Sequence, residues 1–402
     1  MDLTPVPNPS APYWLSEPHK LASFCSSATV PEQVDIAIIG TGIAGVLTAY
    51  HILKSYNGEK SPSVMLLDAR DACSGATGRN GGHIKTKLDS LKSWYEAHGP
   101  EAAAELVRWA EAQRHALQAI AEEENIDCEF QVRRSFDIFF DEAHAAELKA
   151  WLAARKEDGV SWLKDTQWVE GPHLDRITGT SVTISTSKGD VRAAKVVYAA
   201  NGYVAGQLPQ YRGIIVPIIG QNARIIPNEA TRQRVPSVGT TYNFHYTGDW
   251  ADYLNPRPDG AVIHGGGGRS FRKDGADRSG TWFNTVDDSA LISDTVAKDF
   301  QTFDQEHFYG WQDSETRVGS TWTGVMGVTT DGLPHVGRVP GTDNQWILAG
   351  FNGGGMVLIP TMTQGIAKMV LDGSQLEDTS IPLLFKTTTA RLSNVFPGVT
   401  GT

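Results

Sequence analysis

The chain has 402 residues, of which 40% are hydrophobic, and a formal net charge of −11 at pH 7. This length allows two domains or one large composite domain, and the acidic balance argues against nucleic-acid binding, which needs clustered basic residues. No run approaches the ~20 apolar residues that a membrane helix requires, and the N-terminal residues lack the basic and apolar regions of a secretory signal.

The first predicted elements follow a surface arm. Residues 1–33 are rich in Pro and Ser and are predicted to wrap the surface. The apolar run 36–39 then predicts a strand buried on both faces. It ends in a glycine-rich turn at 40–45, and helical spacing continues to residue 56. This order is typical of a dinucleotide-binding βαβ unit.

Each glycine of the sequence GTGIAG has its own steric role in such a unit. Gly40 permits the tight turn, Gly42 lets a pyrophosphate approach the backbone, and Gly45 lets the helix pack closely on the strand. A second apolar run, 64–67, ends in Asp68, whose carboxylate is placed to accept hydrogen bonds from an adenosine ribose. We therefore predict dinucleotide binding, with a purely structural βαβ turn as the alternative.

Small residues dominate the next segment, 71–83, and they disfavour both helix and strand. We predict a loop that lies against a flat ligand, the alternative being a flexible surface loop. Helical periodicity follows at 100–124 and 142–156, with a strand predicted between them at 135–141. These elements are predicted to begin a substrate domain.

The middle of the chain is predicted to be mainly β-structure. Its first two strands would form a hairpin, and the second of them ends in the small residues Asn201 and Gly202, which points to a cofactor crevice. The later strands would carry the substrate pocket, with a polar helix at its wall. The predicted strands are 182–186, 191–200, 214–226, 252–254 and 261–264, and the helix is 294–308.

The C-terminal third contains another glycine-rich strand–turn–helix. A strand predicted at 346–349 runs into the sequence GFNGGGM at 350–356, and helical spacing follows at 364–369. The start of a helix stabilises negative charge, and a reduced flavin carries such charge on the N1–C2=O edge of its ring.

Four ordered motifs resemble those of the D-amino-acid oxidase/glycine oxidase superfamily of FAD-dependent amine oxidoreductases. The RNGG form of the second motif is most similar to the gamma-glutamylputrescine oxidase branch and its fungal relatives. The motifs are GTGIAG with Asp68, SGATGRNGGH at 74–83, VVYAANGY at 196–203, and DGLPHVG at 331–337 followed by AGFNGGGM at 349–356.

The resemblance implies an α/β fold, in which a Rossmann-type FAD-binding domain carries an inserted α+β substrate domain built on a mostly antiparallel sheet. It also implies that the FAD-binding domain is discontinuous. The implied division is an arm at 1–33, an FAD-binding domain at 34–90, 190–215 and 317–375, a substrate domain at 91–189 and 216–316, and a C-terminal tail at 376–402.

FAD is the cofactor that the resemblance implies, held without a covalent link because no cysteine lies shortly before Asp331. Residues 79–83 are expected near the isoalloxazine ring and residues 353–356 at its pyrimidine end. The expected cofactor-binding residues are Gly40, Gly42, Ile43, Ala44, Gly45, Asp68, Ala69, Arg70, Ser74, Gly75, Ala76, Arg79, Asn80, Gly81, Gly82, Ala200, Asn201, Gly202, Asp331, Gly350, Phe351, Asn352, Gly353, Gly354, Gly355 and Met356.

The candidate catalytic residues are His83, Trp322 and His264. In such enzymes FAD takes hydride from the carbon beside an amine, so the protein mainly supplies orientation and electrostatics. The alternatives are a packing histidine for His83, a core tryptophan for Trp322 and a structural histidine for His264. The spacing of His, Asp and Glu predicts no metal site.

The predicted function is FAD-dependent oxidation of the C–N bond of a primary or secondary amine or amino acid, with O₂ as acceptor and H₂O₂ as product. One alternative is a dehydrogenase with another acceptor. Another is a catalytically inactive flavin-binding relative, because the segment before residue 191 is shorter than in relatives. Cys25, Cys73 and Cys128 are scattered and odd in number, which favours the cytosol over a disulfide framework.

Overall fold

Two β-sheets organise the molecule, one mainly parallel and one mainly antiparallel. The structure is a computed structural model. It describes residues 3–133, 135–164, 166–168, 192–228, 238–246, 251–266, 281–308, 310–312, 314–397 and 399.

The strands and helices are numbered here in chain order. The strands are β1 Gln33–Ile39, β2 Val64–Leu67, β3 Ser135–Phe139, β4 Arg192–Tyr198, β5 Ile215–Ile226, β6 Thr241–His245, β7 Ala251–Pro256, β8 Val262–Gly266, β9 Arg317–Thr329, β10 His335–Arg338 and β11 Gln345–Ala349. The helices are α1 Ile43–Ser55, α2 Leu88–Glu123, α3 Glu142–Glu157, α4 Val204–Gln207, α5 Val296–His307 and α6 Ile359–Asp372.

The first sheet has the order β10-β11-β4-β1-β2. Strand β1 pairs in parallel with β2 and β4, and β11 pairs in parallel with β4, while β10 is an antiparallel edge strand. Ile38 of β1, Ile52 of α1 and Ile366 of α6 are fully buried in one apolar core, which joins the sheet to both helices. A parallel sheet covered by helices, with a β1–α1–β2 crossover, is the predicted Rossmann-type arrangement.

The second sheet has the order β3-β6-β7-β8-β5-β9, and all its pairs are antiparallel except β3 with β6. Successive side chains of a strand point to opposite faces. Leu254 and His264 are cross-strand partners; Leu254 belongs to the apolar core that packs on α5, and His264 stacks on Phe300 of that helix. Tyr253 and Gly265 are the neighbouring pair, so they lie on the opposite face. We call this opposite face, which also carries Asn222, the polar face.

The predicted strands 135–141, 214–226, 252–254, 261–264 and 346–349 are confirmed to within a few residues. Several elements differ from the prediction, among them the strands β9 and β10, which were not predicted. Helix α2 begins at Leu88 rather than at residue 100, since its two segments are joined by a kink at Gly99, which has a φ of 83°. Strand β6, of sequence TYNFH, was not predicted. The predicted strand 182–186 lies outside the described residues.

The division into domains stays a prediction, with one difference in detail. Residues 317–329, grouped by the sequence with the FAD-binding domain, form β9, which pairs with β5 from Ile215 to Ile226 in the second sheet. Because this pairing extends along nearly all of both strands, with one irregularity between Arg224 and Ile225, β9 belongs physically to the antiparallel sheet. Among the described helices, none is both long and apolar enough to cross a bilayer.

Candidate cofactor and substrate site

The glycine-rich turn has the geometry of a phosphate cradle. Gly40 has a φ of 140°, and its N–H donates to the carbonyl of Leu67 at 3.0 Å, which ties the turn to β2. A Cβ at Gly45 would lie 1.7 Å from the Gly40 carbonyl oxygen, so only glycine allows α1 to start this close to β1. The N-cap residue, Gly42, has no side chain to cap the helix, and the first turn of α1 contains no acidic residue. The first N–H groups are therefore suited to an anion.

Asp68 lies beside this turn, at the carboxyl end of β2. Its Oδ2 accepts hydrogen bonds from the backbone N–H of Thr41 at 3.2 Å and from the Thr41 hydroxyl, and its Oδ1 accepts from the Arg70 N–H at 3.1 Å. Burial raises the pKa of Asp68 to about 7, against the opposing effect of these donors. A carboxyl group at this position is suited to accept hydrogen bonds from a ribose.

Asp68→Asn is expected to weaken FAD binding by ~1.5–3 kcal/mol, the range for a hydrogen bond to a charged group. Since the pKa of Asp68 is about 7, its carboxyl is mostly protonated below neutral pH and ionised above it. The ionised carboxylate is purely an acceptor and a stronger one than the protonated carboxyl group, so wild-type affinity for FAD should rise as the pH increases through 7, the pKa of Asp68. The variant should show no such rise. Fluorescence titration at several pH values measures both, and a flat wild-type profile would contradict the assignment.

The matched control for that variant is Asp71→Asn. Asp71 belongs to the same loop but is exposed, so its loss should leave both the FAD affinity and its pH dependence as in the wild type.

Two arginines of the predicted cofactor set direct their guanidinium groups to a buried carboxylate, that of Asp288. Arg70 forms a bidentate pair with it, at 3.0 and 3.2 Å, and Arg79 Nε lies 3.5 Å from Asp288 Oδ2. Arg79 Nε also donates to the Ser74 carbonyl at 2.7 Å. Both arginines therefore stabilise the conformation of the loop 71–83. Their side chains bind protein groups, so contacts of this loop with a ligand would come from its backbone.

The N-terminal arm packs on the same loop. Ser10 Oγ receives hydrogen bonds from Arg79 Nη1 at 3.2 Å and from the Thr323 N–H at 2.9 Å. Trp14 Nε1 donates to the Asn80 carbonyl at 2.6 Å. The arm thus joins the loop to β9.

Residues 79–88 run across the polar face of the second sheet, and we call them the crossing segment. Their contacts follow the strand order. The carbonyl of Arg79 accepts hydrogen bonds from Asn222 Nδ2 of β5 at 2.8 Å and from Trp322 Nε1 of β9 at 2.7 Å. The carbonyl of Gly81 accepts from Asn255 Nδ2 of β7 at 2.6 Å. Further along, Lys85 Nζ donates to Thr241 Oγ1 of β6 at 2.9 Å, and the Leu88 N–H donates to Asp137 Oδ2 of β3 at 2.8 Å.

Gly81 is the point of closest approach in the crossing segment. A Cβ there would lie 1.9 Å from the ring of Tyr253, so a larger residue would push the segment off the sheet. The ring of His83 meets the same tyrosine edge-on, with centroids 5.2 Å apart, and His83 is half-buried. The phenol of Tyr253 donates to Asn222 Oδ1 at 2.5 Å. The polar face is therefore built from buried, mutually bonded groups.

The turns after β4 and β11 meet beside the end of β9. Asn201, which has a φ of 40°, accepts at its Oδ1 from the N–H groups of Gly350 and Phe351 at 3.0 and 3.3 Å. The Asn352 N–H donates to the carbonyl of Gly327 at 2.9 Å. The predicted turn residues Asn201 and 350–352 are thus brought together, at the carboxyl ends of parallel strands, where ligands of such sheets bind.

Other predicted site residues are used elsewhere. Asp331 lies in an exposed turn, where Arg391 binds its two carboxylate oxygens at 2.8 and 3.0 Å. His264 is fully buried on the apolar face, stacked on Phe300 with centroids 4.1 Å apart, and Asp304 Oδ1 lies 3.3 Å from its Nδ1. This position is opposite to the polar face.

Trp322 is fully buried, and its indole N–H donates to the Arg79 carbonyl. The tryptophan therefore holds the crossing segment on the sheet. Cys73 Sγ contacts the Thr41 carbonyl at 3.3 Å, and burial raises the pKa of its thiol to about 11. A thiol with such a pKa is a poor nucleophile at neutral pH.

Sequence reasoning missed several residues of the polar face. They are alternate residues of four strands, β3, β5, β6 and β7, and their signal was a period-two alternation of polar with apolar side chains. The missed residues are Asp137, Asn222, Asn243, His245, Tyr253 and Asn255, together with the buried Asp288.

FAD fits the residues that surround the glycine turn. The start of α1 has an N-cap residue without a side chain, Asp68 offers an acceptor, and Ser74 Oγ is buried with no hydrogen-bond partner within the described part of the chain. A buried hydroxyl that lacks a partner in the protein is a position for a ligand atom. Fold and site together define a dinucleotide-binding flavoprotein whose cofactor crevice adjoins an antiparallel sheet.

Comparison with known proteins gives the family. The family model described as FAD dependent oxidoreductase matches residues 35–181 and 167–369. The chain belongs to this family, and FAD, the predicted cofactor, is the cofactor of the family.

Individual relatives are distant. The glycine oxidase of Pseudomonas aeruginosa is 23% identical over 209 residues, which cover 52% of this chain and 47% of the relative. Sarcosine oxidase subunit beta of Rhizobium meliloti is 22% identical over 383 residues, 85% of each chain. The match therefore spans about half the length of the glycine oxidase and most of the sarcosine oxidase subunit.

Solved structures show the same fold. Glycine oxidase from Geobacillus kaustophilus superposes with a TM-score of 0.62 at 16% identity, over 89% of this chain and 99% of that one. L-amino acid deaminase from Proteus vulgaris superposes with a TM-score of 0.59 at 13% identity, over 88% and 96%. These likenesses confirm the predicted fold class, a Rossmann-type FAD-binding domain with an added substrate domain.

Proposed function

We propose that the protein is an FAD-dependent oxidase of a primary or secondary amine or amino acid, with O₂ as acceptor and H₂O₂ as product. The observation that supports this best is the crossing segment, which joins the FAD loop directly to a buried polar face. Bound FAD supplies the electron-accepting chemistry, taking hydride from the carbon beside the amine nitrogen. The names of the relatives, glycine oxidase and sarcosine oxidase subunit beta, agree with a small amine substrate.

The residues of the chain have distinct roles in this proposal. The start of α1 and Asp68 hold the pyrophosphate and the ribose, and the turns at 201 and 350–356 border the flavin. The role assigned to His83 and Tyr253 in this proposal is to border the substrate and orient its amine. The buried surroundings exclude water, which strengthens each of these electrostatic contacts.

An amine panel tests the proposal. Under anaerobic conditions, glycine, sarcosine or another small amine should bleach the flavin absorption of the purified protein, and admission of air should restore it with formation of peroxide. Bleaching that is reversed by an artificial dye but not by air would instead support a dehydrogenase. A flavin that no amine in the panel reduces would refute amine oxidation and support the inactive relative. The segment on which that alternative depends lies within residues 169–191, outside the described residues.

A further inference from the structure

A group of charged side chains lies at the far end of the crossing segment. Lys85 is half-buried, and its Nζ donates to Thr241 Oγ1 of β6 at 2.9 Å. Beside β6, on β3, Asp137 accepts from the Leu88 N–H at 2.8 Å and from Asn243 Nδ2 at 2.6 Å. Lys85 contacts Thr241 and His83 contacts Tyr253, both on the polar face, so the lysine lies on the same face and in the same segment as the candidate substrate residues.

His245 connects Asp137 to the surface. Its Nδ1 lies 2.7 Å from Asp89 Oδ2, and its Nε2 lies 3.5 Å from Asp137 Oδ1, a contact that is electrostatic rather than a short hydrogen bond. Asp89 also binds His144, with 2.8 Å between Oδ1 and Nε2. An imidazole held between two carboxylates is stabilised in its charged form, and this charge in turn keeps Asp137 ionised.

The electrostatics of these groups make Lys85 a proton acceptor near neutral pH. Burial lowers the pKa of Lys85 to about 7, although the charge of Asp137 opposes the shift. Burial raises the pKa of Asp137, but the contact with His245 and its charge outweigh this effect and lower the pKa of that carboxyl group to about 2. Asp89 and Asp252 act on the neighbouring Lys87, and Lys87 itself disfavours a charge on Lys85. A lysine amine that loses its charge near neutral pH thus lies beside a carboxylate that is ionised there.

We propose that Lys85 is the base that takes a proton from the substrate ammonium before its C–N bond is oxidised. In this step the Lys85 nitrogen lone pair forms a new N–H bond as the substrate N–H bond breaks, which leaves a neutral substrate amine and a lysine ammonium. This step is a proton transfer only, so neither the substrate nor the lysine is oxidised or reduced. The step is required because the lone pair of a neutral amine stabilises the positive charge that develops when hydride departs, whereas an ammonium group has no lone pair. Asp137 stabilises the ammonium formed. The inference rests on the proposed function.

The pH dependence of anaerobic flavin reduction tests this role. In the wild type, the second-order rate of reduction should rise with pH with an apparent pKa near that of Lys85, about 7. In Lys85→Met, the rate at neutral pH should fall by ~10²–10⁴-fold, the usual contribution of a general base. The rise should also move to the pKa of the free substrate amine, because only substrate that is already neutral reacts. Lys85→Arg should stay slow at neutral pH, since a guanidinium cannot accept a proton.

Lys87→Met is the matched control, because it removes a positive charge of the same segment from an equally half-buried position. It should keep the rise, moved to somewhat higher pH because Lys87 no longer disfavours the charge on Lys85. If Lys87→Met lost that rise while Lys85→Met kept it, the assignment to Lys85 would be wrong.

A second measurement determines the pKa of Lys85 in the absence of substrate. Holoenzyme is labelled with acetic anhydride at a series of pH values, and the acetylated peptides are quantified by mass spectrometry. Lys85 should show a midpoint near 7, and a midpoint at the ordinary lysine value of ~10.4 would overturn the proposal. Failure of every amine to reduce the flavin would refute the proposed function and this role with it. Normal reduction with an unmoved rise in Lys85→Met would refute the role of Lys85 alone.

Discussion

Gly45→Ala is expected to purify without FAD and to unfold at a lower temperature than the wild type. The new Cβ would lie 1.7 Å from the Gly40 carbonyl oxygen and 2.6 Å from the carbonyl carbon, both backbone atoms that cannot rotate away. The glycine turn and α1 must therefore separate. Overpacking of this kind destabilises a protein by ~1–3 kcal/mol, and the displaced helix start no longer presents its N–H groups to the pyrophosphate.

Gly58→Ala is the control for this variant. Its Cβ would meet the hydroxyl of Tyr56 at 2.3 Å, but Gly58 is exposed and a tyrosine side chain can turn aside. Flavin absorption and thermal unfolding of the two purified variants give the comparison. A Gly45→Ala protein with the FAD content of the wild type would show that the turn is not the cofactor cradle.

Asp288→Ala is expected to destabilise the fold by ~3–5 kcal/mol, the usual effect of removing one partner of a buried ion pair. The side chain of Asp288 is fully buried, and its carboxylate forms ion pairs with two guanidinium groups, those of Arg70 and Arg79. Without it, the two buried guanidinium groups lose the carboxylate that both of them contact. Because these arginines hold the loop 71–83, the affinity for FAD should fall as well. Urea unfolding followed by circular dichroism measures the loss of stability.

Asp287→Ala provides the comparison at the adjacent position. Asp287 is exposed and accepts from the Ser289 N–H at 3.0 Å and from its hydroxyl, so its loss should cost about 1 kcal/mol or less. Equal destabilisation by the two variants would show that the buried carboxylate has no special role.

The parts of the site that the sequence predicts are those encoded within a short stretch. The turn 40–45 follows from three glycines at fixed spacing, and Asp68 follows from the end of the next strand. Both signals are local because a βαβ unit forms from contiguous residues. The turn at 350–356 is predicted for the same reason, as it follows a strand directly.

The other parts of the site depend on contacts between residues that are far apart in the chain, and the sequence does not predict these contacts. Asp288 reaches Arg70 across 218 positions, and no local pattern connects them. Strand register determines which face a side chain occupies, and a shift of one residue reverses it. His264 and Gly265 illustrate this, since the histidine points into the apolar core while its neighbour lies on the polar face. The role of Asp331 depends on Arg391, in a tail whose docking no motif indicates.

Titration of the flavin-free protein with FAD tests the central claim most directly, since every functional inference depends on a cofactor crevice between the glycine turn and the polar face. Folded protein should bind FAD saturably, with a single FAD per chain, and acid precipitation should then release all the flavin into the supernatant. Folded protein, shown by cooperative unfolding, that fails to bind FAD at any concentration would contradict the account. Flavin that stays with the precipitate would contradict the prediction that the cofactor is held without a covalent link.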